Sequence, residues 1–253
     1  MEKRAKHPVR TTEKSLTLID ELNRRGGARI TTLADELSMG KSAIHNHLST
    51  LEEHGFVVKN GNTYELSLRF LDIGGQLRSE MDVYRVAEPQ VEALAEESGE
   101  LVHFVVEEGG EGVYLCRAKG ERAVDLDTYV GCRHPMHSSA FGKAILSHLP
   151  DQRVEEIIDR HGLPSVTPKT ITSRDELYDA LERTRERGFA VDDEERLEGL
   201  RCIAAPIRFD SEVIGAISIS APTARIDDDW AENEFVEQLR RTANVIELNK
   251  YKV

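Results

Sequence analysis

Residues 30–66 read ITTLADELSMGKSAIHNHLSTLEEHGFVVKNGNTYEL, and this pattern predicts two short helices followed by a β-hairpin. Thr31 or Thr32 can cap the first of these helices, which would bury Leu33. A Met-Gly turn separates it from a second helix over about 41–53. The apolar residues of both helices recur at three- and four-residue intervals, so each helix has one face for a core.

Another helix precedes this stretch. A threonine pair at 11–12 is its expected N-cap, and a Gly-Gly pair ends it. Leu16, Ile19 and Leu22 are expected to form its buried stripe. Downstream, two short β-prone segments flank the NGN sequence at 60–62, whose residues tolerate the backbone angles of a tight turn. Three short helices and then a hairpin is the order of elements in a winged helix-turn-helix.

The helix over 41–53 has the composition of a DNA-reading helix. Its apolar residues Ile44, Leu48 and Leu51 must face the core, which leaves the polar side chains outside. Asparagine can pair with adenine, and lysine reaches guanine or phosphate. The residues of this helix predicted to contact DNA are Lys41, Ser42, His45, Asn46 and Ser49. The rest of the predicted contact set comprises Thr31, the wing residues Lys59, Asn60 and Asn62, and the basic arm of Lys3, Arg4, Lys6 and Arg10.

The charge distribution separates this head from the remainder of the 253-residue chain. A net charge of -13 taken alone argues against nucleic acid. However, residues 1–75 contain 11 Lys and Arg against 10 Asp and Glu, whereas the remaining 178 residues contain 22 against 36. We therefore expect DNA to bind the near-neutral, basic-tipped head and to be repelled by the acidic body. The low share of lysine among the basic residues is typical of an organism with high internal salt.

Composition and the length of the apolar runs also indicate the cellular compartment of the protein. Apolar runs such as 213–217 are far too short to cross a bilayer, and no secretory signal is expected at the N-terminus. The three cysteines are too few and too scattered for a disulfide framework. These features predict a cytoplasmic protein that does not bind membranes.

The body has the pattern of a mixed α/β domain. Residues 67–98 are mostly helical, with interruptions expected at Gly74-Gly75 and at Pro89. Antiparallel hairpins and outer helices then follow. Strands are predicted over 101–107, 112–117, 123–129, 201–209 and 213–220, and helices over 139–149, 152–161, 174–187 and 227–250, with Thr172 or Ser173 capping the helix over 174–187.

Several segments of the chain resemble the IclR family of transcriptional regulators. In the head this is the stretch from Ile30 to Val57. In the body the segments are HPMHSSAFGKAILSHLP at 134–150, TSRDEL at 172–177, RGFAVDDEE at 187–195, LEGLRCIAAP at 197–206 and IGAISIS at 214–220. They cover nearly the whole chain in the family's order.

The resemblance implies an α+β chain that is not an enzyme and has no cofactor. It implies a winged helix-turn-helix over 1–66, a linker helix over 67–83 and a GAF-like (profilin-like) α/β effector-binding domain over 84–253. It also implies a homodimer or a dimer of dimers on palindromic promoter DNA. Members often have Arg where this chain has Asn46, and Asn would favour adenine over guanine at that position.

The resemblance further implies that a small organic effector binds the body and changes DNA binding. The implied contact residues are Ser138, Ser139, Ala140, Phe141, Asp192, Cys202, Ser218 and Ser220. Ser218 and Ser220 are two residues apart on a strand and therefore point to the same face. The start of the helix near Ser139 offers free N–H groups that attract carboxylates. Hydroxyl and thiol groups there would let a small organic acid bind without a buried cation.

An alternative interpretation is a metal- or redox-dependent sensor or enzyme. Cys132, His134, His137 and Cys202 would then form the reactive cluster. Their spacing matches no standard zinc pattern, so the main prediction includes no metal.

Overall fold

The N-terminal part of the chain folds into the predicted helices and hairpin. The computed structural model describes residues 5–226 and 234–250. Contacts within the chain separate a first unit, Glu2–Glu80, from a second, Met81–Val253. The elements of the first unit are α1 (Arg10–Arg25), α2 (Ile30–Leu37), α3 (Lys41–Glu53), β1 (Val57–Asn60), β2 (Thr63–Leu66) and α4 (Arg69–Ser79). The strands β1 and β2 are antiparallel.

Local sequence fixes where these elements end. Gly26 adopts a left-handed φ of 67° and ends α1, and Gly61 has a φ of 62° in the β1–β2 turn. Ala28 forms a β-bridge with Tyr64, which ties the segment between α1 and α2 to the hairpin. The core of this unit is made by residues from every element up to β2, namely Leu18, Leu22, Ala28, Leu33, Ala34, Ile44, Leu48, Val57 and Tyr64.

Two details of the predicted head are wrong. The side chain of Leu16 is exposed, and Leu18 is buried in its place, because α1 packs through positions 18 and 22 rather than 16, 19 and 22. The predicted caps also fail: Val9 is the N-cap of α1 and Arg29 that of α2, neither with a side-chain capping bond. Thr31 therefore lies inside the first turn of α2.

The helix α4 follows the hairpin and exposes several large apolar side chains. The expected interruption at Gly74-Gly75 does not occur, since α4 runs through both glycines. Leu68, Leu71 and Leu77 are 81%, 71% and 65% exposed. Several large apolar side chains exposed together normally mark a contact surface.

The second unit is one six-stranded antiparallel sheet with helices on both faces. Its strand order is β5-β4-β3-β8-β7-β6. The elements in chain order are α5 (Asp82–Ser98), β3 (Leu101–Glu108), β4 (Glu111–Lys119), β5 (Arg133–Pro135), α6 (Ala140–Leu146), α7 (Asp151–His161), α8 (Arg174–Arg187), β6 (Ala190–Asp193), β7 (Leu200–Phe209), β8 (Glu212–Pro222), a 3-10 turn (Thr223–Arg225) and α9 (Glu234–Lys250).

Successive side chains along each strand point to opposite faces of the sheet, so the core has two layers. Phe104, Ile203 and Ile217 point to the face that packs with α5 and α9. Val105, Ala204 and their neighbours point to the opposite face, which packs under α6. This second face, the α6 face, also carries the polar residues described below.

The body prediction is correct for the two long hairpins and wrong at four places. Residues 123–129 form no strand, and the short strands β5 and β6 were not predicted. Pro89 lies inside α5 without ending it. The expected cap of α8 is confirmed, because Ser173 Oγ accepts the N–H of Glu176 at 3.3 Å. The predicted start of the last helix, residues 227–233, lies outside the described residues.

No helix within residues 5–226 and 234–250 is both long enough and apolar enough to cross a membrane.

Candidate DNA interface and effector site

The outer face of α3 carries the side chains that the sequence predicts to read DNA. Ile44 and Leu48 are fully buried, and they fix the orientation of the helix. As a consequence Lys41 and Asn46 are exposed. Ser42 and His45 are exposed as well, and Ser49 is half-buried. Contact of these five residues with DNA stays a prediction.

A groove beside α3 brings in residues that the sequence analysis missed. It has a volume of about 630 Å³ and lies between α3 and the start of α1. Ser15 Oγ and His47 Nδ1 are 2.8 Å apart, and this bond links the two helices. Hydroxyl and ammonium groups there suit phosphate oxygens. The polar residues lining the groove are Thr11, Thr12, Lys14, Ser15, Asn46, His47 and Thr50.

Two side chains of the wing already have contacts within the chain. Asn60 Nδ2 donates to Glu65 Oε2 at 3.0 Å, so that side-chain amide is already engaged. The Lys59 ammonium lies 5.3 Å from the centre of the Tyr64 ring. Asn62 and Thr31 are exposed. Lys6 and Arg10 are exposed too, and Lys3 and Arg4 lie outside the described residues.

In the second unit, all eight predicted effector residues are buried against the α6 face of the sheet. Asp192 pairs in register with Cys202, and Cys202 pairs with Ser220. Ser218 occupies the next row on the same face. Above them lies the segment that enters α6, formed by Ser138, Ser139, Ala140 and Phe141, each no more than 3% exposed.

The serine at the start of α6 has a structural role. Ser139 Oγ accepts the N–H of Gly142 at 3.2 Å and donates to the carbonyl of Pro135 at 3.1 Å. It is therefore the N-cap of a helix of only seven residues. Gly142 is required there, because a Cβ would lie 2.0 Å from the carbonyl oxygen of Met136. The start of α6 is thus closed by its own cap.

Asp192 holds the turn that follows β6. Its Oδ1 accepts the N–H groups of Glu195 at 2.8 Å and Arg196 at 3.3 Å. Burial raises the pKa of Asp192 to about 7, against the opposing effect of the Lys143 ammonium. Lys143 itself forms a buried ion pair with Glu195. The turn is therefore fixed to α6 by charge and to β6 by hydrogen bonds.

Of the hydroxyl and thiol groups beneath α6, some have a hydrogen-bond partner among the described residues and one does not. Cys202 Sγ donates to Ser220 Oγ at 3.2 Å, and burial raises the pKa of the Cys202 thiol, which keeps it protonated. Ser218 Oγ is buried and has no hydrogen-bond partner within the described part of the chain. A buried polar atom without a partner is costly, and a bound ligand would relieve that cost.

Five further residues enter this site without having been predicted. His103 lies directly between Ser218 and Arg117 in the sheet register. Its ring stacks on Tyr114 at 4.5 Å, and its Nε2 lies 3.3 Å from the hydroxyl of Thr128. Arg196 Nη1 donates to the Tyr114 hydroxyl at 2.6 Å. The only sequence signal among these was a histidine within the apolar run of β3.

The side chains of the alternative cluster do not converge on one point. Cys132 Sγ lies 3.0 Å from His134 Nε2. His137 Nε2 instead lies 3.0 Å from the carbonyl of Pro164, and Cys202 is bonded to Ser220. Across residues 5–226 and 234–250, no three His, Cys, Asp or Glu side chains are grouped so as to hold a metal. The structure therefore does not favour the metal or redox interpretation.

Comparison with known proteins decides the family. The model of the IclR helix-turn-helix domain matches residues 11–61. The model described as bacterial transcriptional regulator IclR, C-terminal, matches residues 76–248. This chain belongs to the IclR family. The resemblance and the winged-head and effector-domain fold expected from it are confirmed, and the chain is a DNA-binding transcriptional regulator rather than an enzyme.

Relatives of this IclR-family regulator align over almost its full length. The HTH-type transcriptional regulator XynR of Escherichia coli is 31% identical over 237 residues, which are 92% of this chain and 94% of XynR. The crystal structure of the IclR protein of Thermotoga maritima is 27% identical, with a TM-score of 0.79 over 95% of this chain and 98% of that one. An IclR homolog from Microbacterium hydrocarbonoxydans, crystallised with 4-hydroxybenzoate, shares the fold at 24% identity and a TM-score of 0.79 over 94% of this chain and all of its own.

Proposed function

We propose that this regulator binds a palindromic promoter site through α3 and that a small organic carboxylate, bound on the α6 face, changes the affinity for that site. The observation that carries the effector part is the unpaired hydroxyl of Ser218, buried among other polar groups in a layer that is otherwise apolar. An effector can shift DNA binding only if it binds the two states with different affinity.

The DNA part of the proposal assigns roles by position. Exposed Lys41 and Asn46 would reach base edges, and Ser42, His45 and Ser49 would support them. The groove between α1 and α3 would hold a phosphate. Residues 1–66 would then be the DNA-binding domain, 67–83 the linker helix and 84–253 the effector-binding domain, in a cytoplasmic protein.

The proposed assembly is a homodimer, or a dimer of dimers. A palindromic operator presents two equivalent half-sites, so a twofold pair of heads matches it. The exposed leucines of α4 supply an apolar surface. A second copy of the chain has the same apolar surface, so its α4 helix is a suitable partner. Its pairing would remove Leu71 and Leu77 from water.

The direct test uses the DNA upstream of the protein's own gene and measures fluorescence anisotropy with the full chain. We expect tight binding that weakens with added salt, because each contacted phosphate releases counterions. A carboxylic acid such as 4-hydroxybenzoate, or a sugar acid, should change the Kd for this DNA. Unchanged Kd values across acids that bind the protein would reject effector control.

Operator selection tests the reading helix separately. Wild type and Asn46→Ala are each selected against a randomised half-site. We expect an adenine preference at one position in the wild type that disappears in the variant. A guanine preference present in both would show that Asn46 does not read the base.

A further inference from the structure

Two arginines reach the α6 face of the sheet without a carboxylate partner. Arg196 Nη1 donates to the Tyr114 hydroxyl at 2.6 Å, and its Nη2 donates to His134 Nε2 at 3.0 Å. Arg117 Nη1 donates to the carbonyl of Thr128. Within residues 5–226 and 234–250, neither guanidinium forms an ion pair. Their hydrogen bonds go only to neutral acceptors, which are weaker partners than a carboxylate.

Two residues with unpaired buried atoms, Ser218 and Arg117, lie on one row of the sheet. His103 is opposite Ser218 on β8 and opposite Arg117 on β4. Ser218 Oγ and Arg117 Nη2 are both buried without a hydrogen-bond partner among the described residues. These two positions are two strand spacings apart, roughly 9–10 Å between backbones. A molecule lying along the row would therefore meet a cation at one end and a hydroxyl at the other.

The surrounding titratable groups leave the cations uncompensated. Burial, together with the charge of Arg196, lowers the pKa of His103 to about 3 and that of His134 to about 4. Both imidazoles are therefore neutral near pH 7. Asp192 is already bonded to the N–H groups of its own turn, and Glu195 is paired with Lys143 through Oε1 while its Oε2 has no partner among the described residues. Asp125 is exposed and paired with Lys119, and the charge of Arg117 contributes only a secondary lowering of its pKa. The Arg117–Arg196 end of the site is consequently positive.

We propose that Arg196, assisted by Arg117, holds the acidic group of the effector and is the residue that selects a carboxylate over a neutral compound. This rests on the proposed function. A carboxylate would replace the neutral acceptors of Arg196 with charge-assisted, two-point hydrogen bonds. The hydroxyl of Ser218 then takes a hydroxyl or other oxygen at the far end. The effector class is a small hydroxy acid, with its body against Tyr114 and His103.

This assignment differs from the expectation that the serine and cysteine groups alone receive the acid. Ser139 Oγ caps α6, and Cys202 and Ser220 are hydrogen-bonded to each other. The cations are on the opposite side of the site, over β4. A carboxylate would find its strongest partners there.

The test compares Arg196→Gln with wild type and with Arg183→Gln in the full chain. Arg183 is an exposed arginine of α8 that borders Lys143 and Glu195. Its variant changes the net charge equally at a position outside the row of Arg117, His103 and Ser218. The probes are 4-hydroxybenzoate and its neutral analogue 4-hydroxybenzamide, with D-gluconate and D-glucose as a second pair. Binding is measured by calorimetry, and folding by the melting temperature.

Wild type and Arg183→Gln should bind at least one acid about 10-fold or more tightly than its neutral analogue, since a bond to a charged group is lost with the amide. Arg196→Gln should reduce that preference to about twofold or less, while Arg196→Lys, which keeps the charge but loses the planar fork, should fall between them. A merely structural Arg196 would instead weaken acid and neutral analogue equally.

The inference is overturned if Arg196→Gln retains the acid preference, or if no acid binds wild type better than its neutral analogue. Anisotropy with operator DNA separates this from the proposed function. An acid that binds through Arg196 but leaves the Kd for DNA unchanged rejects effector control alone. An acid that changes DNA binding equally in wild type and Arg196→Gln rejects the role of Arg196 alone.

Discussion

Replacing Ser218 by alanine should stabilise the protein and weaken its response to the effector. The Ser218 hydroxyl lies on β8 beneath α6, is 1% exposed and has no hydrogen-bond partner among the described residues. Alanine removes that unsatisfied group and keeps the backbone pairing with His103 and Ala204. The same hydroxyl is proposed to bond the effector, so the two effects have opposite signs.

The magnitude follows from the cost of burying an unpaired hydroxyl, about 1–3 kcal/mol. Losing the contacts of one oxygen atom offsets part of this gain, which leaves roughly 1 kcal/mol of added stability. For a unit of this size that corresponds to an increase of about 2–4 °C in Tm. The lost hydrogen bond should weaken effector binding by about fivefold, or roughly 1 kcal/mol.

The assay is a thermal melt of the full chain without ligand, followed by calorimetry with the acid that binds wild type most tightly. Ser220→Ala is the matched control, because Ser220 Oγ accepts a hydrogen bond from Cys202 Sγ. Its removal breaks that hydrogen bond of the thiol, whose side chain also interacts with Asp192, and should lower Tm. The two serines are one strand repeat apart on the same face, so the difference in sign depends only on hydrogen bonding.

A lower Tm for Ser218→Ala would show that the hydroxyl is satisfied in the free protein. A higher Tm with unchanged acid affinity would show that the effector does not reach β8. Either result would refute the reasoning that an unpaired buried group marks the ligand site.

Three further predictions address the reading helix, the assembly and the buried histidine. Lys41→Ala with Asn46→Ala should lower operator affinity by roughly 10²-fold or more without changing the circular dichroism spectrum, and unchanged anisotropy would exclude α3 as the reader. Leu71→Glu with Leu77→Glu should convert the proposed dimer to monomer in sedimentation equilibrium, and an unchanged dimer mass would place the interface elsewhere. His103 has a folded pKa of about 3, so stability should fall as pH falls from about 6.5 towards 3, by up to about 1.4 kcal/mol per pH unit. His103→Gln should reduce this slope in urea unfolding at several pH values, and an identical slope would contradict the assignment.

The head could be predicted from sequence because its signals are local. The NGN turn places Gly61 at a positive φ, and the spacing of Ile44 and Leu48 fixes the buried side of α3. The error at Leu16 is one of phase. Helix α1 has two apolar stripes, one containing Leu16 and one containing Leu18. Only packing against the other elements of the head determines that the stripe with Leu18 is buried.

The body was less predictable where local pattern and sheet position disagree. Residues 123–129 alternate like a strand, but they form the loop in which Thr128 contacts His103 and Arg117. The strand β6 has only four residues, three of them buried. A run so short, without alternation, carries no period that identifies a strand.

The effector site was only partly predictable, for a topological reason. Asp192, Cys202 and Ser220 could be placed through the family resemblance. The convergence of His103, Arg117 and Arg196 depends on the pairing of β3 with both β4 and β8 and on the turn after β6. No spacing along the chain encodes that register, so the sequence offered no reason to include these two arginines in the site.

An acid bound on the α6 face is proposed to change the affinity of the protein for DNA. The most direct test measures the thermodynamic linkage between the acid site and the DNA site. The Kd of wild type for operator DNA is measured with and without saturating acid, and the Kd for the acid with and without saturating operator. Both ratios should be equal and should be at least about fivefold, because coupling between two sites is reciprocal. If the acid binds in an Arg196-dependent manner and both ratios equal one, the α6 face does not control DNA binding.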